Sequence, residues 1–159
     1  MINIKDFISD LKQYILTSFE QNANFSNIIV AMAYDSENTI KTPQVSISIN
    51  NNREDDSSNS YDSENISILR VVLYCYNKAM IFDNDTEKTS AILSTTILTN
   101  EIQNIFDKNL FGVENNNIIA STRKSYVQPQ SIREDGLVYV GILTYEFRVL
   151  NDYTKIYNN

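Results

Sequence analysis

Residues Ile66 to Asn77, ISILRVVLYCYN, are apolar at even and odd positions alike, with Arg70 the one charge among them. A β-strand sends successive side chains to opposite faces, so this run predicts a central strand covered on both sides. Leu137 to Leu150 is a second such run. It has Leu137, Tyr139, Leu143, Tyr145, Phe147 and Val149 on one face and Val138, Val140 and Ile142 on the other. Two long strands of this kind commit the chain to a sheet, and the remaining segments must supply what packs on it.

Those segments are readable from their spacing. Ile4, Phe7, Ile8, Leu11, Tyr14, Ile15 and Phe19 recur every three or four residues and predict an amphipathic helix, with Lys5, Asp6, Asp10, Lys12 and Gln13 on its polar face. Small polar residues from Asn22 to Ser26 end that pattern. Asn27 to Tyr34 (NIIVAMAY) is a nearly continuous apolar run, read as a short buried strand or a helical ending. Pro43 opens a cleaner strand in which Val45, Ile47 and Ile49 alternate with Ser46, Ser48 and Asn50.

A second helix is predicted from Asp85, as N-cap, to about Lys108. Ala91, Leu98, Ile102, Ile105 and Phe106 lie along its buried side, and Leu93 and Ile97 widen it. Ser94, Thr95, Thr96 and Thr99 give it modest helix propensity, so packing must supply much of its stability. Asn117 to Val127 alternates weakly, and Pro129 to Gly136 (PQSIREDG) carries turn residues, which makes the last third a long hairpin. The polar tail, residues 151–159, either frays or docks on a neighbour. The order α-β-β-β-α-β-β predicts an α+β fold over one domain, residues 1–159: a single mostly antiparallel sheet with two packed helices. Its expected core includes Phe7, Leu11, Ile47, Leu69, Val71, Leu73, Ile102, Leu143 and Tyr145.

Composition narrows the chemistry. The chain of 159 residues has no His and one Cys, Cys75, which removes Ser-His-Asp triads, multi-thiolate zinc sites and internal disulfides. Nothing basic adjoins Cys75, so it reads as an inert core thiol. Three scattered glycines cannot form a phosphate-cradling loop. The formal charge of −7, with Arg123-Lys124 the densest basic spot, argues against sequence-specific nucleic-acid binding. With no apolar run near membrane-spanning length and no leader-like segment, the chain is expected to stay where it is made, off membranes. Asp83 to Glu87 begins like a calcium loop, but Lys88 and Ser94 stand where that loop needs Gly and Glu, and a helix N-terminus explains the same acids. No cofactor or metal site and no enzymatic activity are expected.

The charges that remain are unevenly placed. Asn51 to Asn65, NNREDDSSNSYDSEN, is expected to form an exposed acidic loop, with a net −4 over Arg53 to Glu64. Asn115 to Asn159 carries a net +1. Candidate interface residues are Glu54, Asp55, Asp56, Asp62 and Glu64 in the loop, then Arg123 and Lys124, then Arg133, Glu134 and Asp135 in the turn. Glu146 and Arg148, which interrupt the final strand, either form a cross-strand pair or face a partner subunit. The tyrosines, Tyr74 and Tyr76 among them, are read as strand residues with a polar tip at a sheet edge or subunit interface.

The succession of an amphipathic N-terminal helix, a Pro-opened strand (Thr42 to Ile49), a hydrophilic loop, an apolar central strand (Ile66 to Tyr76), a helix (Asp85 to Asp107) and a final hairpin ending in VYVGILTYEF (Val138 to Phe147) resembles the tail terminator, or tail completion, proteins of long-tailed bacteriophages and phage-tail-like particles. The long acidic loop departs from that pattern. The resemblance implies a homo-hexameric ring in the neck region of a virion, made in the host cytoplasm. Such a ring caps the head-proximal end of the tail tube, stops tube polymerisation and docks the head connector or stopper protein. In contractile tails it also contacts the last sheath ring. The residues alone also allow a small non-enzymatic adaptor or regulatory protein that binds a partner peptide at a sheet edge. A metal-dependent hydrolase using the acidic loop is the third and weakest reading.

Overall fold

The computed structural model describes residues 3–33, 40–50, 66–78, 87–108, 111, 117–132 and 138–157. Its elements are α1 (Ile4–Phe19), β1 (Ile29–Met32), β2 (Gln44–Asn50), β3 (Ile66–Lys78), α2 (Glu87–Asp107), β4 (Ile118–Ser131) and β5 (Val138–Leu150). The five strands form one sheet in the order β1-β2-β3-β5-β4. Only β1 and β2 run parallel; the other three pairings are antiparallel. This is the α+β arrangement with a mostly antiparallel sheet that the sequence predicts.

The core lies between the sheet and the two helices. Leu69, Val71, Leu73 and Cys75 of β3 share a face with Val45 and Ile47 of β2 and with Leu143, Tyr145, Phe147 and Val149 of β5, and all are buried. Against them pack Phe7, Leu11, Tyr14 and Ile15 of α1 and Leu98, Ile102 and Phe106 of α2. All nine expected core residues are buried. An aromatic cluster fills one end, with Phe7, Phe106, Phe111 and Phe147 meeting at tilted or edge-on ring contacts 5.6–6.4 Å apart.

The helices show how sequence becomes packing. Asn3 caps α1 by accepting from the Asp6 amide at 3.2 Å, which satisfies one of the open donors of the first turn. In α2, Ser94, Thr95 and Thr99 face the sheet and are fully buried. Each hydroxyl donates to the carbonyl four residues back, at 2.7–2.8 Å, so no polar atom is lost on burial. The expected residues Ala91, Leu98, Ile102 and Phe106 are buried, Leu93 is exposed instead of widening that face, and the small hydroxyl residues share the buried side. The reason is space, because Thr99 sits over Gly141 of β5, where a Cβ would come within 3.2 Å of the Thr99 Cβ. The expected cap of α2, Asp85, lies outside the described residues.

Other expectations change as well. β3 is the middle strand, but its even-numbered residues, Ile66 to Tyr76, are only half-buried, and both described helices lie on the odd-numbered face. The predicted two-sided cover is therefore found on one side. Of the run from Asn27 to Tyr34, the described residues give a four-residue strand at a parallel edge, with Val30 buried and Ile29 exposed. Pro129 lies inside β4 rather than in a turn. β4 is an edge strand, and a register shift between Val127 and Gln130 absorbs the residue that cannot donate. The described part of the tail packs within the chain itself. Its residues 153–157 fold onto α1 and the fully buried Asp10, which was expected on the polar face of that helix.

Candidate functional site

The face of the sheet opposite the helices is built by alternation. Arg70 in β3 stands directly across from Glu146 in β5, and the two side chains approach to 3.5 Å. Lys124, on the edge strand, reaches the other oxygen of the same carboxylate at 3.7 Å. Glu146 is thus the hub of a three-strand ion-pair cluster. Next to it on this face lie Arg148, opposite Ile68, and half-buried Val72, and further along lie half-buried Ile66, Tyr74 and Ile142. Tyr74 and Tyr76 stack with ring centroids 6.4 Å apart. They stand on the middle strand, which excludes the sheet-edge alternative for these two tyrosines. No described helix covers this face.

Around the sheet edge the charge arrangement turns to the helix side. Arg123 stands opposite buried Tyr145 and so lies on the helix side, where it meets Asp107 at the end of α2 at 3.4 Å. A register shift between Arg123 and Ser125 accompanies the turn of Lys124 to the other face. Asp107 also accepts from the Tyr145 phenol at 3.0 Å. Burial, then the neighbouring Asp107 carboxylate, hold that phenol well above its ordinary value. Gln103 of α2 with Arg123, Lys124, Ser125 and Tyr126 of β4 lines an open groove of about 460 Å³ along this edge.

Of the residues singled out from sequence, the structure gathers Lys124 and Glu146 into one cluster, sets Arg148 on the same face, and places Arg123 around the edge. Glu146 takes the cross-strand alternative, in the middle of its strand. Glu54, Asp55, Asp56, Asp62, Glu64, Arg133, Glu134 and Asp135 lie outside the described residues. Sequence reasoning missed Asp107 and did not single out Arg70 as a site residue. Arg70 had a signal, as the one charge in an apolar strand, but its partner depends on register. Asp107 had none beyond its place at a helix end.

Cys75 is buried beneath Thr99, and burial pushes its thiol up to about 12 while the Thr99 hydroxyl partly offsets this. Among the described residues no three Asp, Glu, Cys or His side chains are grouped to hold a metal ion. No described helix is long and apolar enough to cross a membrane. Comparison with protein-family models and with curated proteins finds no match to this chain.

Proposed function

We propose that this chain is a structural assembly subunit of the tail-terminator kind. It forms a ring that closes the head-proximal end of a phage-type tail tube and offers its other surface to the head connector. The observation that carries this reading is the sheet face opposite the helices. There, half-buried Ile66, Val72, Tyr74 and Ile142 share one surface with the Arg70–Glu146–Lys124 cluster. Apolar and tyrosine side chains around a fixed polar centre are what a subunit contact requires, with the charges setting register and the apolar area supplying affinity. In this reading the protein performs no catalysis, works in the virion neck, and touches tail tube, connector and, in a contractile tail, sheath.

The experiment is a mass measurement followed by imaging. Sedimentation of the purified chain should show a closed oligomer, and Val72→Glu should reduce it to monomer with unchanged circular dichroism. A monodisperse monomer at every accessible concentration would overturn the ring. Tail tubes that reach normal length without this protein would overturn the terminator role even if the ring stands.

A further inference from the structure

We infer that the groove between α2 and the outer edge of β4 binds an extended, carboxylate-bearing segment of another protein chain, which joins the sheet as a sixth strand. The proposal deepens the assembly reading, on which it rests only for the source of that segment. Three observations meet at this place. β4 ends the sheet, and Thr122 to Tyr126 are all exposed. An edge strand presents main-chain donors and acceptors to any incoming strand. A groove of about 460 Å³ runs alongside, with Gln103 of α2 on the side across from residues 123–126. Finally, β4 carries two cations and no acid, in a chain whose formal charge is −7.

The two cations also specify the ligand. Arg123 turns to the helix side, where it meets Asp107, and Lys124 turns to the opposite face, where it meets Glu146. Their ion pairs, at 3.4 and 3.7 Å with both cations at least 40% exposed, orient the side chains while leaving them exchangeable in water. Although the ladder shifts register between Arg123 and Ser125, the ion pairs set the two cations on opposite faces. An incoming strand projects consecutive residues to those same two faces. Its best match is therefore two adjacent carboxylates, one for each cation.

The test uses the full chain, labelled for amide NMR, and a short synthetic peptide with a central Glu-Asp pair flanked by Thr and Val. The expected result is saturable, salt-sensitive binding with shifts concentrated on Thr122 to Tyr126. A Gln-Asn version should bind about fivefold to thirtyfold more weakly, and so should the original peptide on R123A/K124A. A backbone N-methylated peptide with both carboxylates intact should lose binding, because it keeps the charge but cannot join the sheet. If the double variant does not fold, Lys124→Gln, at an exposed position, serves in its place. Shifts centred elsewhere, equal binding by the N-methylated or Gln-Asn peptide, or no binding would each overturn the groove. Sedimentation of the same sample without peptide reads the ring separately, so either idea can fail alone.

Discussion

The Tyr153 phenol donates to Asp10 Oδ2 at 2.8 Å, joining residues 143 apart in sequence across a fully buried contact. The backbone amides of Ile156 and Tyr157 also donate to this carboxylate, each at 3.0 Å. Three donors from one short segment wrap a single anion, which is how an acid on the core side of an amphipathic helix avoids an unpaired burial cost. The tail is therefore a working part of the α1 packing.

Asp10→Ala should destabilise the protein by about 2–4 kcal/mol, since it strands three donors. Tyr153→Phe should cost less, about 1–2 kcal/mol, because the ring still packs on Phe7 at 5.7 Å. Urea unfolding of both variants, and of a chain ending at Asn151, measures this. A change in Asp10→Ala under half a kcal/mol would remove the clasp from the stability argument.

Gly141 is required by contact rather than by backbone conformation. Gly141→Ala should cost about 1–3 kcal/mol through overlap with Thr99. Adding Thr99→Ala should recover part of that loss, so a double-mutant cycle should return a favourable coupling. Strict additivity would show that the two residues do not meet.

Leu73, buried at the centre of β3, should cost about 2–5 kcal/mol when cut to Ala. Chemical denaturation with an unchanged m-value is the check. A loss below half a kcal/mol would contradict the central position of this strand.

Alkaline pH should weaken the fold through Cys75 and Tyr145. The thiol rises from an ordinary 9.0 to about 12, and the Tyr145 phenol is also raised. Both ionise more readily in the unfolded chain, so their contribution is intact below about pH 9 and is lost as pH climbs through the folded values. Native Cys75 should resist a thiol reagent at pH 8 and react only on unfolding. Rapid labelling of the native protein would contradict this burial.

Local pattern was enough to reveal the seven elements, their order and the core, because period and burial are linked residue by residue. Phe7, Leu73 and Tyr145 announce themselves through spacing alone. Partnership was not legible in the same way. Nothing in the sequence pairs Arg70 with Glu146, since the pairing depends on a register spanning two strands 76 residues apart. Nor does spacing reveal that Asp10 turns inward: one carboxylate on a helix reads as polar until a distant segment brings donors to it. The Ser/Thr face of α2 likewise looked like poor helix material until Gly141 opened room beneath it. Sequence by itself determined the order of helices and strands and most of the apolar residues that leave water, because those follow from periodicity and transfer free energy. Only the tertiary structure decided which face of the sheet the helices cover, which charges meet, and where the tail lies, because these depend on groups that the chain brings together from far apart.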